Sequence, residues 1–328
     1  MTNRRRTLLA FVLPLAAPAP LRIARAQAWP DRPIRLIIGF TPGGTNDIVG
    51  RMVAEAMAPL LGGVGFVIEN RAGAGGMLAA DLVAKAAPDG NTLLLGGSGG
   101  LTIPSLVNAR LPFDVATAFA PIGLIGSAPN AIVVHPSLPV RTLGDLQRVA
   151  REARPPLAYA SPGVGSTGHA AGAMIAQVLG VEMDHVPYRG TAPALTDLIA
   201  GRVQVFTNAL APMQPHIAAG TLRAVALAAP RRSPAMPDLP SAAEQGFPQI
   251  EAATWWGLFA PAGTPPDRIA RLHAALNGAL TMPEVRRRLL EGGVEVEPSE
   301  SPAAFARYFA EDRARWEPVV RAAGIRAE

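Results

Sequence analysis

An α/β fold of two lobes, each built on its own sheet and facing the other across a hinged cleft, is what this sequence predicts. Three observations carry the prediction. Short apolar runs alternate with Ala/Leu-rich segments of helical period along most of the chain. Two of those runs pass directly into a glycine-rich loop and then a helix, once near residue 41 and again near residue 163. Two stretches, GLIGSAPN at 123–130 and IEAATWW at 250–256, break the alternation where a chain could cross between lobes. Two crossings make a hinge, and the carboxyl ends of two facing α/β sheets make a ligand cleft.

The chain opens MTNRRRTLLAFVLPLAAPAPLRIARAQA, with three arginines ahead of an apolar run and small residues at Ala24, Ala26 and Ala28. This pattern predicts a secretory signal peptide over residues 1–26, cleaved near Ala26 or Ala28, and so a periplasmic protein. Arg5-Arg6 before Thr7-Leu8-Leu9 also fits a twin-arginine signal. The apolar run is interrupted by Pro14 and Pro18 and falls short of the ~20 residues of a membrane span. The formal charge of +5 resides in this leader: its five arginines removed, 25 basic residues face 25 acidic ones. A neutral mature chain has no global electrostatic reason to seek nucleic acid or anionic lipid. Cysteine is absent, which excludes disulfides, thiolate metal sites and cysteine nucleophiles, and leaves an exported protein to be held by its core alone.

Strands are expected at 34–39, 66–69, 92–96, 131–135, 157–160, 185–187, 203–207 and 222–227, mostly in parallel sheets. Helices are expected at 45–61, 77–86, 143–151, 192–200 and 268–280. The crossings divide the mature chain into a discontinuous first lobe, 27–127 with 253–328, and a second lobe, 128–252. Trp255 and Trp256 fall beside the second crossing and are expected in interlobe packing.

The chemistry is expected in the loops. TPGGTND follows the first strand and opens a helix; glycines allow close backbone approach, and a helix start offers unpaired N–H groups with a partial positive charge, a combination that favours anions. Thr45 and Asn46 read as caps, ligand contacts or both. Asp47 reads as an acid that orders the loop or, alternatively, one that meets a ligand amine or hydroxyl. In the second lobe, Gly163, Gly165 and Gly168 have the G-x-G-x-x-G spacing of dinucleotide sites. The acid that should follow the next strand and grip a ribose is missing, since Glu182 and Asp184 precede it, so a carboxylate-sized anion fits better than a pyrophosphate. Gly96-Gly97-Ser98-Gly99-Gly100 matches the G-x-S-x-G of serine hydrolases. Pro104 interrupts the helix that should follow, and no acid–histidine pair stands at a fitting spacing, so Ser98 reads as a third cleft loop. The five histidines show no ligand spacing for a metal.

Taken together, IIGFTPGGTND, ENRAGAGG, AAPDGNTLLLG, YASPGVGSTGHAAG, HVPYRGTAPALTDLIAGRV and GLFAPAGTPP resemble the Bug family of extracytoplasmic solute receptors, the binding proteins of tripartite tricarboxylate transporters. The resemblance covers essentially the whole mature chain. It implies a periplasmic binding protein of the Venus-flytrap, type II-like fold, with no cofactor, no metal and no catalysis. It also implies that a small carboxylate is captured and delivered to a large and a small membrane subunit; a stand-alone sensory role is the alternative. Mapped residue by residue, the substrate-binding set is Phe40, Thr41, Gly43, Gly44, Thr45 and Asp47, then Ser98, then Gly165, Ser166, Thr167 and His169, with Thr207 and Asn208. A monomer is expected. The sequence departs from the family at Thr207 and Gln204, where aspartates are common, and at Ala170, where leucine is usual. Loss of an acid at 207 implies a ligand without an amino group, such as a dicarboxylate or an aromatic carboxylate.

Overall fold

The computed structural model describes residues 29–108 and 111–326; the leader assigned to 1–26 lies outside them. The elements run β1 (Ile34–Ile38), α1 (Thr45–Met57), β2 (Phe66–Asn70), α2 (Met77–Ala84), β3 (Thr92–Gly97) and α3 (Ile103–Val107). There follow β4 (Phe119–Val134), α4 (Leu143–Glu152), β5 (Leu157–Ser161), α5 (Thr167–Leu179), β6 (Met183–Pro187), α6 (Thr191–Ile199), β7 (Val205–Ala209), α7 (Gln214–Ala218) and β8 (Arg223–Ala228). The chain ends with β9 (Ala253–Pro261), α8 (Pro266–Thr281), α9 (Pro283–Glu291), β10 (Glu295–Val296) and α10 (Pro302–Ala322).

Each lobe has a parallel centre. β1 lies between β2 and β3, and β5 between β6 and β7, all parallel, as the strand, loop and helix repeats demand. The expected two sheets are present, and β4 runs through both and joins them. Its first part, Phe119 to Pro129, pairs antiparallel with β9, and its end, Asn130 to Val134, pairs antiparallel with β7 and β8. The result is one ten-stranded path in the order β2-β1-β3-β9-β4-β7-β5-β6, with β8 and β10 also on β4. β4 carries the chain out of the first lobe and β9 carries it back beside it, so the two must run in opposite directions.

Helices cover both faces. In the first lobe, Val53, Met57, Leu272 and Leu276 pack on Ile34, Leu36 and Trp256, and on the other face Met77, Val83, Phe305 and Phe309 pack around Trp255 and Phe259. The tryptophans expected between lobes are thus inside the first-lobe core, 1% and 0% exposed. Neighbours in a strand point to opposite faces, so each enters a different cluster. In the second lobe, Leu143, Leu146, Ile175 and Leu179 cover one face, and Leu195 and Leu198 the other. α10 serves both: Phe305 and Phe309 sit in a first-lobe cluster, while Trp316 and Val320 sit in a second-lobe cluster. Among the described residues no helix is long and apolar enough to cross a membrane.

Candidate functional site

The loop after β1 turns at Gly43, at φ 77°, and α1 begins at Gly44 without a side-chain cap. The first-turn N–H groups of α1 are therefore left for another acceptor. Asp47 is not that acceptor. Its carboxylate, 5% exposed, accepts from the Gly43 N–H, Asn70 Nδ2 and Arg51 Nε, each at 3.0 Å. Burial pushes this carboxyl's pKa up, but the bonds from Arg51, Gly43 and Asn70 together outweigh it and hold the group below its ordinary value. Asn70 Nδ2 also donates to the Phe40 carbonyl at 2.9 Å, so one small network fixes the loop. Asn46 is held from the other side, its Oδ1 accepting from Trp256 Nε1 at 2.9 Å. The hydroxyls of Thr41 and Thr45 are buried and have no hydrogen-bond partner among the described residues.

In the second lobe, Ser166 caps α5, accepting from His169 N at 3.3 Å and donating to the Gly163 carbonyl at 2.7 Å. Gly165 N donates to His169 Nδ1 at 3.2 Å. α6 starts, like α1, at a glycine without a side-chain cap, Gly190. Asn208 Nδ2 donates to Thr191 Oγ1 at 2.9 Å. Thr207 is buried within β7, opposite Ile132.

The lobes meet over these loops. Ser98 Oγ lies 3.2 Å from Thr167 Oγ1 and accepts from Trp255 N at 3.3 Å. The approach is so close that a Cβ at Gly99 would stand 2.7 Å from Thr167 Oγ1, and one at Gly190 2.3 Å from Thr41 Oγ1. What remains between the helix starts is a niche of about 20 Å³, bounded by Asn46, Ser166, Thr167, Thr191, Asn208 and Thr254. It has room for about one water-sized group, and no acidic residue lines it. Phe40 and Pro162 separate it from a chamber of about 660 Å³, which they also line. That volume is within the range usual for small-molecule sites.

One wall of the chamber is a pair of histidines. The rings of His169 and His185 stack at 3.7 Å between centroids and 7° between planes, with Tyr159 5.0 Å from His185. Burial pushes the His169 pKa down to about 4; burial, and then the neighbouring His169, push His185 to about 3. Both rings are therefore neutral at neutral pH. Because His169 Nδ1 accepts the Gly165 N–H, its Nε2 carries the proton and acts as a donor.

Of the residues singled out in the sequence, Phe40, Asn46, Ser166, Thr167, Gly168 and Asn208 line the niche, and Phe40, Gly163 and His169 line the chamber. Thr41, Gly43, Gly44 and Thr45 form the adjoining loop and helix start. Asp47, Gly165 and Thr207 line neither space, and Ser98 ties the lobes together. Sequence reasoning missed Thr191 and Thr254 at the niche and His185, Tyr188, Arg189 and Arg326 at the chamber. Thr191 had a signal, standing at a third passage from strand to helix, whereas Arg326 had none. Among the described residues no cluster of His, Asp or Glu could hold a metal ion.

Residues 49–325 match the family described as the tripartite tricarboxylate transporter family receptor. The chain belongs to that family. This Bug-type receptor is 36% identical to a Pseudomonas sp. protein, the UPF0065 protein in the tcbD-tcbE intergenic region, over 97% of this chain and 94% of that one. An R. palustris protein solved with adipate superposes with a TM-score of 0.87 at 37% identity, covering 91% of this chain and 99% of its own. The periplasmic binding protein BugD superposes with a TM-score of 0.84 at 32% identity, over 92% of this chain and all of its own. Across those comparisons the receptor has the two-lobed fold of periplasmic binding proteins.

Proposed function

We propose that this receptor is exported to the periplasm and closes its two lobes on a small carboxylate without an ammonium group. It then delivers that ligand, as a monomer, to the large and small membrane subunits of a tripartite transporter. The observation that carries the reading is the convergence of two uncapped helix starts, α1 and α6, with the start of α5 on a niche that no acid lines. Uncapped N–H groups and helix dipoles favour an anion there, and nothing in the niche would neutralise an ammonium. The unbonded hydroxyls of Thr41 and Thr45 are further donors beside it. In this reading Phe40, Thr41, Gly43, Gly44, Thr45, Ser166, Thr167 and Asn208 hold the acid group, His169 faces the ligand body, and Asp47, Gly165 and Thr207 support the loops. The moving bodies are 27–127 with 253–328, and 128–252, β4 and β9 being the hinge. Ser98 acts in closure and not as a nucleophile: its hydroxyl meets Thr167, the Ala253 carbonyl and Trp255 N, while the five histidines bond elsewhere or line the chamber.

Thermal unfolding of the chain from Gln27 onward, with a panel of carboxylates, tests this. A ligand at about 100 times its dissociation constant adds about 2.7 kcal/mol of stability. Succinate and glutarate should raise the unfolding temperature more than aspartate and glutamate do. The reverse order would overturn the ligand class, and a rise with NAD alone would overturn the receptor reading of the glycine loop.

A further inference from the structure

The chamber is much larger than the niche and different in kind. Its walls are glycine backbone from the 73–76 turn, the side chains of Met77, Pro104, Val107, Val164 and Pro187, and the neutral histidine pair. Two residues stand apart from this lining. Arg189, in the loop between β6 and α6, and Arg326, just beyond α10, both reach the chamber and both are exposed. Among the described residues neither arginine makes an ion pair or a hydrogen bond. The first acid after Arg189 in the chain, Asp197, is already committed, accepting from Tyr188 Oη at 2.7 Å and from Arg202 at 2.7 Å. No acidic residue lines the chamber. A largely apolar chamber thus carries two unpaired guanidinium groups from different elements in its lining, with the small niche at the helix starts on the other side of Phe40 and Pro162.

We infer that Arg189 and Arg326 form a second anion-binding end of the ligand site, so that the receptor takes an elongated, two-headed acid with an apolar body. One carboxylate places an oxygen in the niche, the body fills the chamber, and the far carboxylate meets the arginines at the chamber's solvent edge. Guanidinium is the group suited to that end, because its planar fork matches a carboxylate with paired hydrogen bonds and holds its charge at every physiological pH. The inference rests on the receptor reading and extends it to the spacing of the ligand's acid groups. It assigns a specificity role to a residue near the carboxyl terminus, which α10 brings to the chamber by bridging the two lobes.

Calorimetric titration with two ligand series tests it: straight-chain α,ω-dicarboxylates from succinate to sebacate, and monocarboxylates from butyrate to decanoate. The wild-type chain should bind one of the longer dicarboxylates more tightly than the monocarboxylate of equal length. Arg189→Gln and Arg326→Gln should each weaken that dicarboxylate by about tenfold to hundredfold, leave the monocarboxylate within about twofold, and remove the difference when combined. Arg326→Lys should restore part of the loss. Both arginines are exposed and unpaired, so the variants should unfold at the wild-type temperature, measured in parallel. Equal losses for both series, or a wild type that does not prefer dicarboxylates, would overturn the second anion end while leaving the receptor reading intact. A wild type that binds no carboxylate of either series would overturn both.

Discussion

His169 and His185 stack face to face on the chamber wall, and the cost of charging either one makes the folded state sensitive to acid. Their folded pKa values, about 4 and about 3, lie below the 6.5 of an unburied imidazole. Between those values the unfolded chain binds protons that the folded chain refuses, so stability rises with pH and falls as the solution is acidified from neutrality. Each such group contributes a slope of up to about 1.4 kcal/mol per pH unit. The carboxylates with lowered values, Asp47 and Glu69 among them, act only further down. Their contribution is complete above the ordinary carboxylate range and is lost below it, so the interval from about 6.5 to 4.5 belongs to the histidines. His185→Asn should flatten the dependence of the urea midpoint on pH across that interval and on down to about pH 3, where the folded ring itself takes up its proton. A slope identical to wild type would show that the ring titrates normally in the folded protein.

At the scale of elements, α10 is attached to β9 by one buried polar contact. Asp312, 1% exposed, accepts from Trp255 Nε1 at 2.6 Å and from Arg315 at 2.7 Å. Asp312→Ala would leave the indole N–H unpaired inside an aromatic cluster and should cost about 1–3 kcal/mol in urea unfolding. The pair Trp255→Phe with Asp312→Leu, which removes donor and acceptor together, should cost less than Asp312→Ala if the unpaired group is the main penalty; a larger cost would assign it to packing. Such couplings were not legible in the sequence, although most elements were. The strands beginning at Ile34, Thr92 and Leu157 are visible because each is an apolar run closed by glycine or proline, and parallel strands buried on both faces have that pattern. β4 was only half visible. Gly123, Gly126 and Pro129 read as a break in the alternation where the chain crosses between lobes, yet they sit in a long strand whose register against β9 shifts twice, and such irregularities admit residues that a regular ladder rejects. At the site, the glycine loops were legible because their chemistry is local. Arg326 and the histidine stack arise from residues brought together by tertiary packing, which no spacing rule encodes.

For the whole molecule, the question is what permits the lobes to close, and the contact between Gly99 and Thr167 offers a clean way to ask it. A Cβ at Gly99 would lie 2.7 Å from Thr167 Oγ1 and 2.9 Å from its backbone N, nearer than any ordinary Cβ contact. Thr167 belongs to the other lobe, and neither of these clashes involves the first-lobe sheet. Gly99→Ala should therefore leave the core intact and obstruct only the closed arrangement, in which Ser98 and Thr167 bond. A receptor whose binding-competent state is rarely populated loses affinity in proportion to that population. The variant should accordingly unfold within about 1 kcal/mol of wild type without ligand, as expected of a change outside the core. It should bind carboxylates at least about tenfold more weakly and, at saturating ligand, keep a larger radius of gyration in solution scattering than the wild type does. Ser98→Ala removes the bond but adds no obstacle, and should weaken binding by severalfold only. If Gly99→Ala instead bound with wild-type affinity and compacted normally, Thr167 would have to move aside at little cost, and closure would depend on the other loop contacts, such as Gly190 against Thr41, where the approach is closer still.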